Sequence, residues 1–509
     1  MNRERIGPRL RLFLLSVCGL VIFTCFALLI SMALDPKLRL LYNVKGATYG
    51  GPLTWLGRWL NLGGLSHSGS TILYVCLMVV LTLAYLGALY LVRKDGRVRI
   101  TVIIAGGFLL FALLFVFIPP LLSRDIYSYA FGGRSMTVYH ANPYLLKAVS
   151  HPNDVLYPLI GWRHQPSVYG PIFNSLSFII CKAAGNDIAA NVLAFKVLAF
   201  LFYAASLPLV YALARRVSPG RENLALAIAA WNPLLLLSIL GGGHNDPLMF
   251  FFVLLGLYLC RQEYPVWGLV SVVLAVMVKA TAVLVLLPYL VFFFRDRRGK
   301  LVSRVLEAGA VVIVLPVLLY LPFWKGFRIF DATRRVSGMV SYSSVPTLTK
   351  YISTRILSGF GIAKASATSL SNTLVHLFFL ALLAAIVLAL LWKIRDYRTM
   401  VLSTGGILLA WFLASGYILP WYLGLGLMVC AVSGWNATTG STVAASCVFL
   451  LYRIPITQAV IQQRPLLHVS YKPVFYLSIP LAVILIAWLI LGKPFSGLRR
   501  TKPGSETTL

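Results

Sequence analysis

The sequence predicts an all-α polytopic integral membrane protein of about fourteen transmembrane helices. Three observations carry that fold class. Of 509 residues, 59% are hydrophobic and only 12% are charged, too little charged surface for a soluble chain of this size. Apolar runs close to the ~20 residues that a bilayer core requires recur along the whole length. Clusters of Lys and Arg stand between them, which is how cytoplasmic loops are marked.

The clusters fall at Arg3 to Arg11, Arg93 to Arg99, Arg215 to Arg221, Arg295 to Arg304, Lys393 to Arg398 and Lys493 to Lys502. Placing all of them in the cytoplasm demands an even number of crossings between successive clusters. The run at 12–34 follows an Arg-rich start but is too long for a signal peptide and lacks a cleavage pattern, so it reads as the first span. Spans at 70–92, 101–122, 189–214, 222–240 and 247–260 complete the first half. Those at 265–279, 281–294, 304–322, 372–392, 399–418, 420–434, 440–452 and 473–491 follow, several short enough to be re-entrant. Both termini are then cytoplasmic, and 1–509 is one membrane domain of an inner or plasma membrane.

One segment is ambiguous. Residues 171–185, "PIFNSLSFIICKAAG", are apolar but short, and a crossing there would put Arg215, Arg216 and Arg221 outside. The segment therefore reads as an interfacial helix. In consequence 123–188 becomes one long non-cytoplasmic loop. A second outer loop, 323–371, carries Lys325, Arg328, Arg334, Arg335, Lys350, Arg355 and Lys364.

Lys and Arg number 45 against 14 acids, a formal charge of +31. On a soluble protein that would suggest nucleic acid. Here basic cytoplasmic loops account for it, and the expected partner is the lipid bilayer rather than nucleic acid. Seven cysteines lie in or beside apolar runs without CxxC spacing and read as packing residues. There is no Walker loop, no GxGxxG in a βαβ unit and no HExxH, so ATP is not the expected energy source. No cofactor is assigned, and a divalent metal stays open. The sequon Asn436-Ala437-Thr438 falls on an expected cytoplasmic turn and carries no reading.

Fourteen acids are few enough to sort one by one, and two stand apart. Asp125 closes the third span in "SRDIYSYAFGGRSMTVYHANPY", and Asp246 lies in "GGGHNDPLM" at the next outer turn. An ionisable group at the mouth of a helix bundle is costly unless paired or hydrated, which makes each a functional candidate. Arg124, Tyr127, Tyr129 and His140 surround Asp125, and "WRHQPSVYGP" adds Trp162, Arg163, His164 and Tyr169. Aromatic faces and hydrogen-bonding edges suit a sugar, while Arg suits a phosphate. An ordinary interfacial belt explains any single tyrosine as well, but not the carboxylate.

Near Asp246, Gly241, Gly242 and Gly243 permit close backbone approach, and His244 and Asn245 follow. His244 and Asp246 could bind a metal, but two ligands at i and i+2 are a weak pattern. Asp246 could equally cap the helix that enters at Pro247. Lys279, a lone cation in "VMVKATAV", is placed near the outer turn, either to meet a lipid phosphate or to snorkel. Trp421 and Tyr422, in "GYILPWYL", occupy another outer turn.

Taken in order, "SRDIYSYAFGGR", "ANPY", "YGPIFNSLS", "WNPLLLLSILGGGHNDPLM" and "PWYL" resemble the bacterial polyprenol-phosphate-mannose-dependent α-1,6-mannosyltransferases of the GT-C superfamily. The resemblance covers most of residues 100–430. It implies a polytopic glycosyltransferase using a lipid-phosphate sugar, with Asp125 as the first-outer-loop acid usually assigned as general base. Asp246 matches a second-outer-loop acid. The DxD pair of metal-dependent oligosaccharyltransferases is missing, so the resemblance implies no metal. The expected function is transfer of a hexose, mannose by the narrower resemblance, from a polyprenyl-phosphate donor to a glycan or glycolipid acceptor on the non-cytoplasmic face. One inverting displacement is expected, with Lys279, Arg163 and Arg335, in falling order, as cations on the leaving phosphate. A transporter or flippase of a lipid-linked sugar is the rival, and an enzyme using a diphosphate-linked donor a third reading. The transporter calls for broken helices paired across two halves, and no repeat is evident.

Overall fold

The computed structural model describes residues 7–34, 67–93, 95–121, 123–295, 301–337 and 344–450, and all regular structure among them is helical. Lipid dictates this, because every backbone polar group in hydrocarbon must be bonded within its own element. The helices are α1 (Pro8–Leu34), α2 (His67–Val92), α3 (Val98–Val116), α4 (Asp125–Thr137), α5 (Pro171–Ala184) and α6 (Ile188–Val217). Next come α7 (Glu222–Leu240), α8 (Asp246–Arg261), α9 (Pro265–Val278), α10 (Ala280–Arg295) and α11 (Leu301–Phe323). After these follow α12 (Asp331–Ser337), α13 (Val345–Gly359), α14 (Lys364–Trp392), α15 (Tyr397–Ala414), α16 (Pro420–Val432) and α17 (Ala437–Leu450).

Eight of the described helices are long and apolar enough to cross a bilayer: α1, α2, α3, α6, α7, α11, α14 and α15. They coincide with eight of the expected spans. The spans expected at 247–260, 265–279, 281–294, 420–434 and 440–452 also form helices, but each is shorter than the ~20 residues of a straight crossing. The span expected at 473–491 lies outside the described residues. The segment expected to be an interfacial helix forms α5, which starts on Pro171.

Central and peripheral helices differ as their sequences suggest. The span of α7 is apolar on every side, and it is wholly buried. Its polar atoms are satisfied inside the bundle. The Trp231 indole N–H donates to the carbonyl of Ile104 at 2.8 Å, and Asn232 donates to Tyr85 Oη and Ser446 Oγ at 3.1 and 2.9 Å. By contrast only 11% and 6% of the apolar 18-residue stretches of α11 and α14 is buried, which leaves their apolar sides for lipid.

Among the described residues, three of the basic clusters meet one another and two others are joined, while the cluster at Lys493 to Lys502 lies outside them. Arg11 and Arg97 both donate to Asp95, at 3.0 and 2.8 Å. Arg221 donates to the carbonyl of Arg93, and Asn223 to that of Asp95. Arg295 likewise donates to the carbonyl of Ile394, joining the ends of α10 and α14.

One boundary differs from expectation. The third span ends at Val116 rather than at 122, because Pro119 and Pro120 lack the N–H that would continue the helix. Asp125 therefore does not close α3. A non-helical bridge separates the two, and Asp125 opens α4 with its N–H on Ser123 Oγ at 3.1 Å.

The "YGP" motif also has a packing reason. The Gly170 N–H donates to the carbonyl of Val278 at 2.9 Å, and a Cβ there would stand 1.9 Å from the Met277 carbonyl oxygen. Only glycine lets the entry to α5 lie against the end of α9. Gly170→Ala should lower stability by roughly 1–3 kcal/mol through overpacking. Gly106→Ala, with nothing within 4 Å of the added atom, should be neutral. Thermal unfolding of both purified variants in detergent checks the pair; equal midpoints would refute the close approach.

Candidate active site

The site begins where α7 ends. Its last turn widens, with the Gly241 N–H reaching back to the Leu236 carbonyl, and Gly243 follows in the left-handed region at φ +69°. A Cβ on Gly243 would stand 2.6 Å from Ile126 Cδ1, so glycine allows this turn to rest on α4. The result is that the two acids singled out by the sequence converge. His244 Nδ1 lies 3.7 Å from Asp125 Oδ2 and 3.2 Å from Tyr129 Oη. Trp421 stacks on the His244 ring, with centroids 3.9 Å apart.

Asp125 is the acid that faces space. With Ser128, Trp162, Gln165, Tyr169, Tyr417 and Tyr422, it lines a cleft. The indole N–H of Trp162 donates to Asp125 Oδ1 at 3.0 Å, while the ring itself is 38% exposed at the rim. An aromatic wall with a few convergent polar groups is the usual make-up of a small-molecule site.

Asp246 behaves otherwise. It opens α8, yet its carboxylate receives both its contacts from Lys279 Nζ, at 2.8 and 2.9 Å, and it is 2% exposed. It neither lines the cleft nor caps the helix. Lys279 accordingly does not snorkel. Its ammonium lies 5.2 Å from the centre of the Tyr422 ring, a cation–π contact with a residue of the cleft wall. Burial first, and then neighbouring groups that include both carboxylates, raise the Tyr129 and Tyr169 hydroxyls above the ordinary phenol range. The two acids therefore belong to one electrostatic neighbourhood.

The other expected residues scatter. Tyr127 is buried on α4, and Arg124 lies against Gly161 beside the bridge. The guanidinium of Arg163 is bound to its own loop, donating to the carbonyls of Tyr157 and Pro158 at 3.1 and 3.2 Å and stacking on Tyr157. His140 and His164 are exposed and do not line the cleft. Arg335 is exposed and reaches Gln165, at 3.3 Å. Asn245 is buried between His244 and Asp246. Of the three cations expected at a phosphate, Lys279 alone stands within the acid cluster. Among the described residues no three of His, Cys, Asp and Glu converge as a metal-binding group.

Sequence reasoning missed three features. Trp162 was legible as an aromatic face but not as the donor to Asp125. Arg134 and Asp154 form a buried pair at 3.0 Å, joined by Tyr139 and Asn186, which fastens the end of α4 to the following loop. Lys196 is buried within α6. A signal for the Asp246–Lys279 pair did exist: helices of 16 and 14 residues joined by a short turn place the start of one beside the end of the other.

Removing one partner of a buried ion pair leaves an uncompensated charge, and Lys279→Met should cost about 3–5 kcal/mol of stability. The double variant Asp246→Asn/Lys279→Met should recover most of it. Thermal unfolding in detergent measures both, and a wild-type midpoint for Lys279→Met alone would show that the pair does not hold α8 to α9.

Residues 44–295 match the family model described as alpha-(1->6)-mannopyranosyltransferase, N-terminal domain. The chain is similar to alpha-(1->6)-mannopyranosyltransferase A of Corynebacterium glutamicum, 26% identical over 328 residues that cover 60% of this chain and 66% of that protein, just under two thirds of its length. It is also similar to the protein of the same name in Mycobacterium tuberculosis, 28% identical over 394 residues and 73% of each chain. Alpha-(1->6)-mannopyranosyltransferase B of Corynebacterium glutamicum is 32% identical over 158 residues, 29% of this chain and 26% of that protein. Asp125, His244, Asp246 and Lys279 all fall inside the segment that matches the family model. Over residues 44–295, with the acid cluster inside them, the chain is similar to the alpha-(1->6)-mannopyranosyltransferases, as its motifs led us to expect.

Proposed function

We propose that this chain is a membrane mannosyltransferase that moves mannose from a polyprenyl-phosphate donor to a hydroxyl of a glycan or glycolipid acceptor, with Asp125 as general base. The observation that carries the reading is the position of Asp125. Its carboxylate faces an aromatic cleft, one oxygen held by the Trp162 indole, with Lys279 over the ring of the cleft-lining Tyr422.

In this reading the acceptor oxygen attacks the anomeric carbon while Asp125 takes its proton. The bond between that carbon and the phosphate oxygen breaks, and polyprenyl phosphate leaves with the electron pair. One displacement inverts the centre, so a β-linked donor gives an α-linked product. Base assistance of this kind contributes roughly 10²–10⁴-fold. An ammonium has three donors. Asp246 engages Lys279 through both carboxylate oxygens, which orients the ammonium and leaves it able to meet charge developing on the phosphate. Contact among the first three basic clusters, at the ends of α3 and α7 away from the site, supports a site on the opposite, non-cytoplasmic face, with the amino terminus cytoplasmic.

Purified protein supplied with a panel of synthetic polyprenyl-phosphate sugars and an α-mannoside acceptor tests the function, with product mass and linkage as readout. Transfer from the mannose donor to give an α-1,6 product is expected. Transfer from a diphosphate donor alone would sink the reading. Asp125→Asn keeps the shape and removes the proton acceptor, so turnover should fall by about two to four decades with donor binding retained. Near-normal transfer by that variant would place the base elsewhere.

A further inference from the structure

Lys196 has no role in the site as described. It lies within α6, 1% exposed, in an apolar run where a cation is expensive. Its Nζ donates to the carbonyl oxygens of Phe115 at 2.7 Å, Gly241 at 3.0 Å and Pro119 at 3.4 Å. All three ammonium donors therefore have an acceptor.

The acceptors explain the lysine. In a continuing helix the Phe115 carbonyl would receive the N–H of residue 119, but that residue is proline and has none. The bridge between α3 and Asp125 thus presents carbonyls that lipid cannot satisfy. Gly241 belongs to the other half of the site, because it opens the turn that carries His244 and Asp246. Its carbonyl also receives the Leu121 N–H at 2.8 Å. Lys196 and Leu121 together stitch the bridge before Asp125 to the turn before His244. The lysine stem packs there too, for a Cβ on Gly243 would stand 3.2 Å from Lys196 Cγ.

We propose that Lys196 is a positioning residue: its ammonium fixes the spacing between Asp125 and the His244–Asp246 turn, and with it the aim of the proton acceptor. The proposal rests on the reading of Asp125 as base. Lys196 does not line the cleft, so it acts through the groups it holds.

Lys196→Met keeps the stem and removes the donors. Its turnover should fall about tenfold to a hundredfold, the scale of a ~1 Å misplacement. Donor KM should stay within about twofold, or ~0.4 kcal/mol. Lys196→Arg, which restores charged donors, should recover part of the loss. The decisive comparison is a double-mutant cycle. In the Asp125→Asn protein, adding Lys196→Met should change the residual rate by no more than about twofold, because the group being aimed is gone. A full further loss in that background, or wild-type turnover for Lys196→Met alone, overturns the proposal. Normal transfer by Asp125→Asn overturns the base assignment instead, and this proposal with it. If Lys196→Met does not insert as folded protein, Lys196→Gln, with two donors for three carbonyls, takes its place in the cycle.

Discussion

A peptide carbonyl without a donor is not tolerated in hydrocarbon, and this constraint organises the molecule around the Gly241 carbonyl. Two segments meet there: the proline-broken bridge after α3, through the Leu121 N–H, and the buried Lys196 of α6. The neighbouring contacts build outward from that junction. The left-handed Gly243 sets the turn on α4, His244 comes beside Asp125, and Asp246 starts α8 where the end of α9 can reach it. Gly170 then brings Tyr169 and α5 against the same end of α9 and closes one wall of the cleft.

The two acids are chemically similar but live in different surroundings, and surroundings decide what a carboxylate can do. Asp246 is buried and tied to an ammonium through both oxygens. Asp125 meets an indole N–H, an imidazole and open space. The proposed division of labour, one acid taking the proton and the other orienting a cation, rests on this contrast.

Much of this was legible in the sequence, for definite reasons. In an apolar chain each lone acid stands out, so Asp125 and Asp246 were found directly. Span positions followed from hydropathy and loop charge, and the helix read at 171–185 forms as α5. Other features depend on contacts between distant segments that no local pattern encodes. Lys196 lies 45 residues from Gly241 and 81 from Phe115, and as a lone lysine in an apolar run it carries no sign of its acceptors. Arg163 showed the opposite failure. Its charge and position suggested a phosphate ligand, while carbonyls in its own loop had already engaged it. The helix boundary before Asp125 was readable from Pro119 and Pro120, but hydropathy alone runs through them.

The central claim is that Asp125 faces the acceptor while Lys279, oriented by the buried Asp246, meets the lipid phosphate. The direct measurement is an experimental structure of the protein in lipid nanodiscs with a non-transferable polyprenyl-phosphate mannose analogue and an acceptor mannoside bound. The account predicts the acceptor hydroxyl within about 2.6–3.2 Å of an Asp125 oxygen, with the phosphate on the Lys279 side of the anomeric carbon. A phosphate lodged against Trp162 and Asp125, or an acceptor bound away from the cleft, would contradict it.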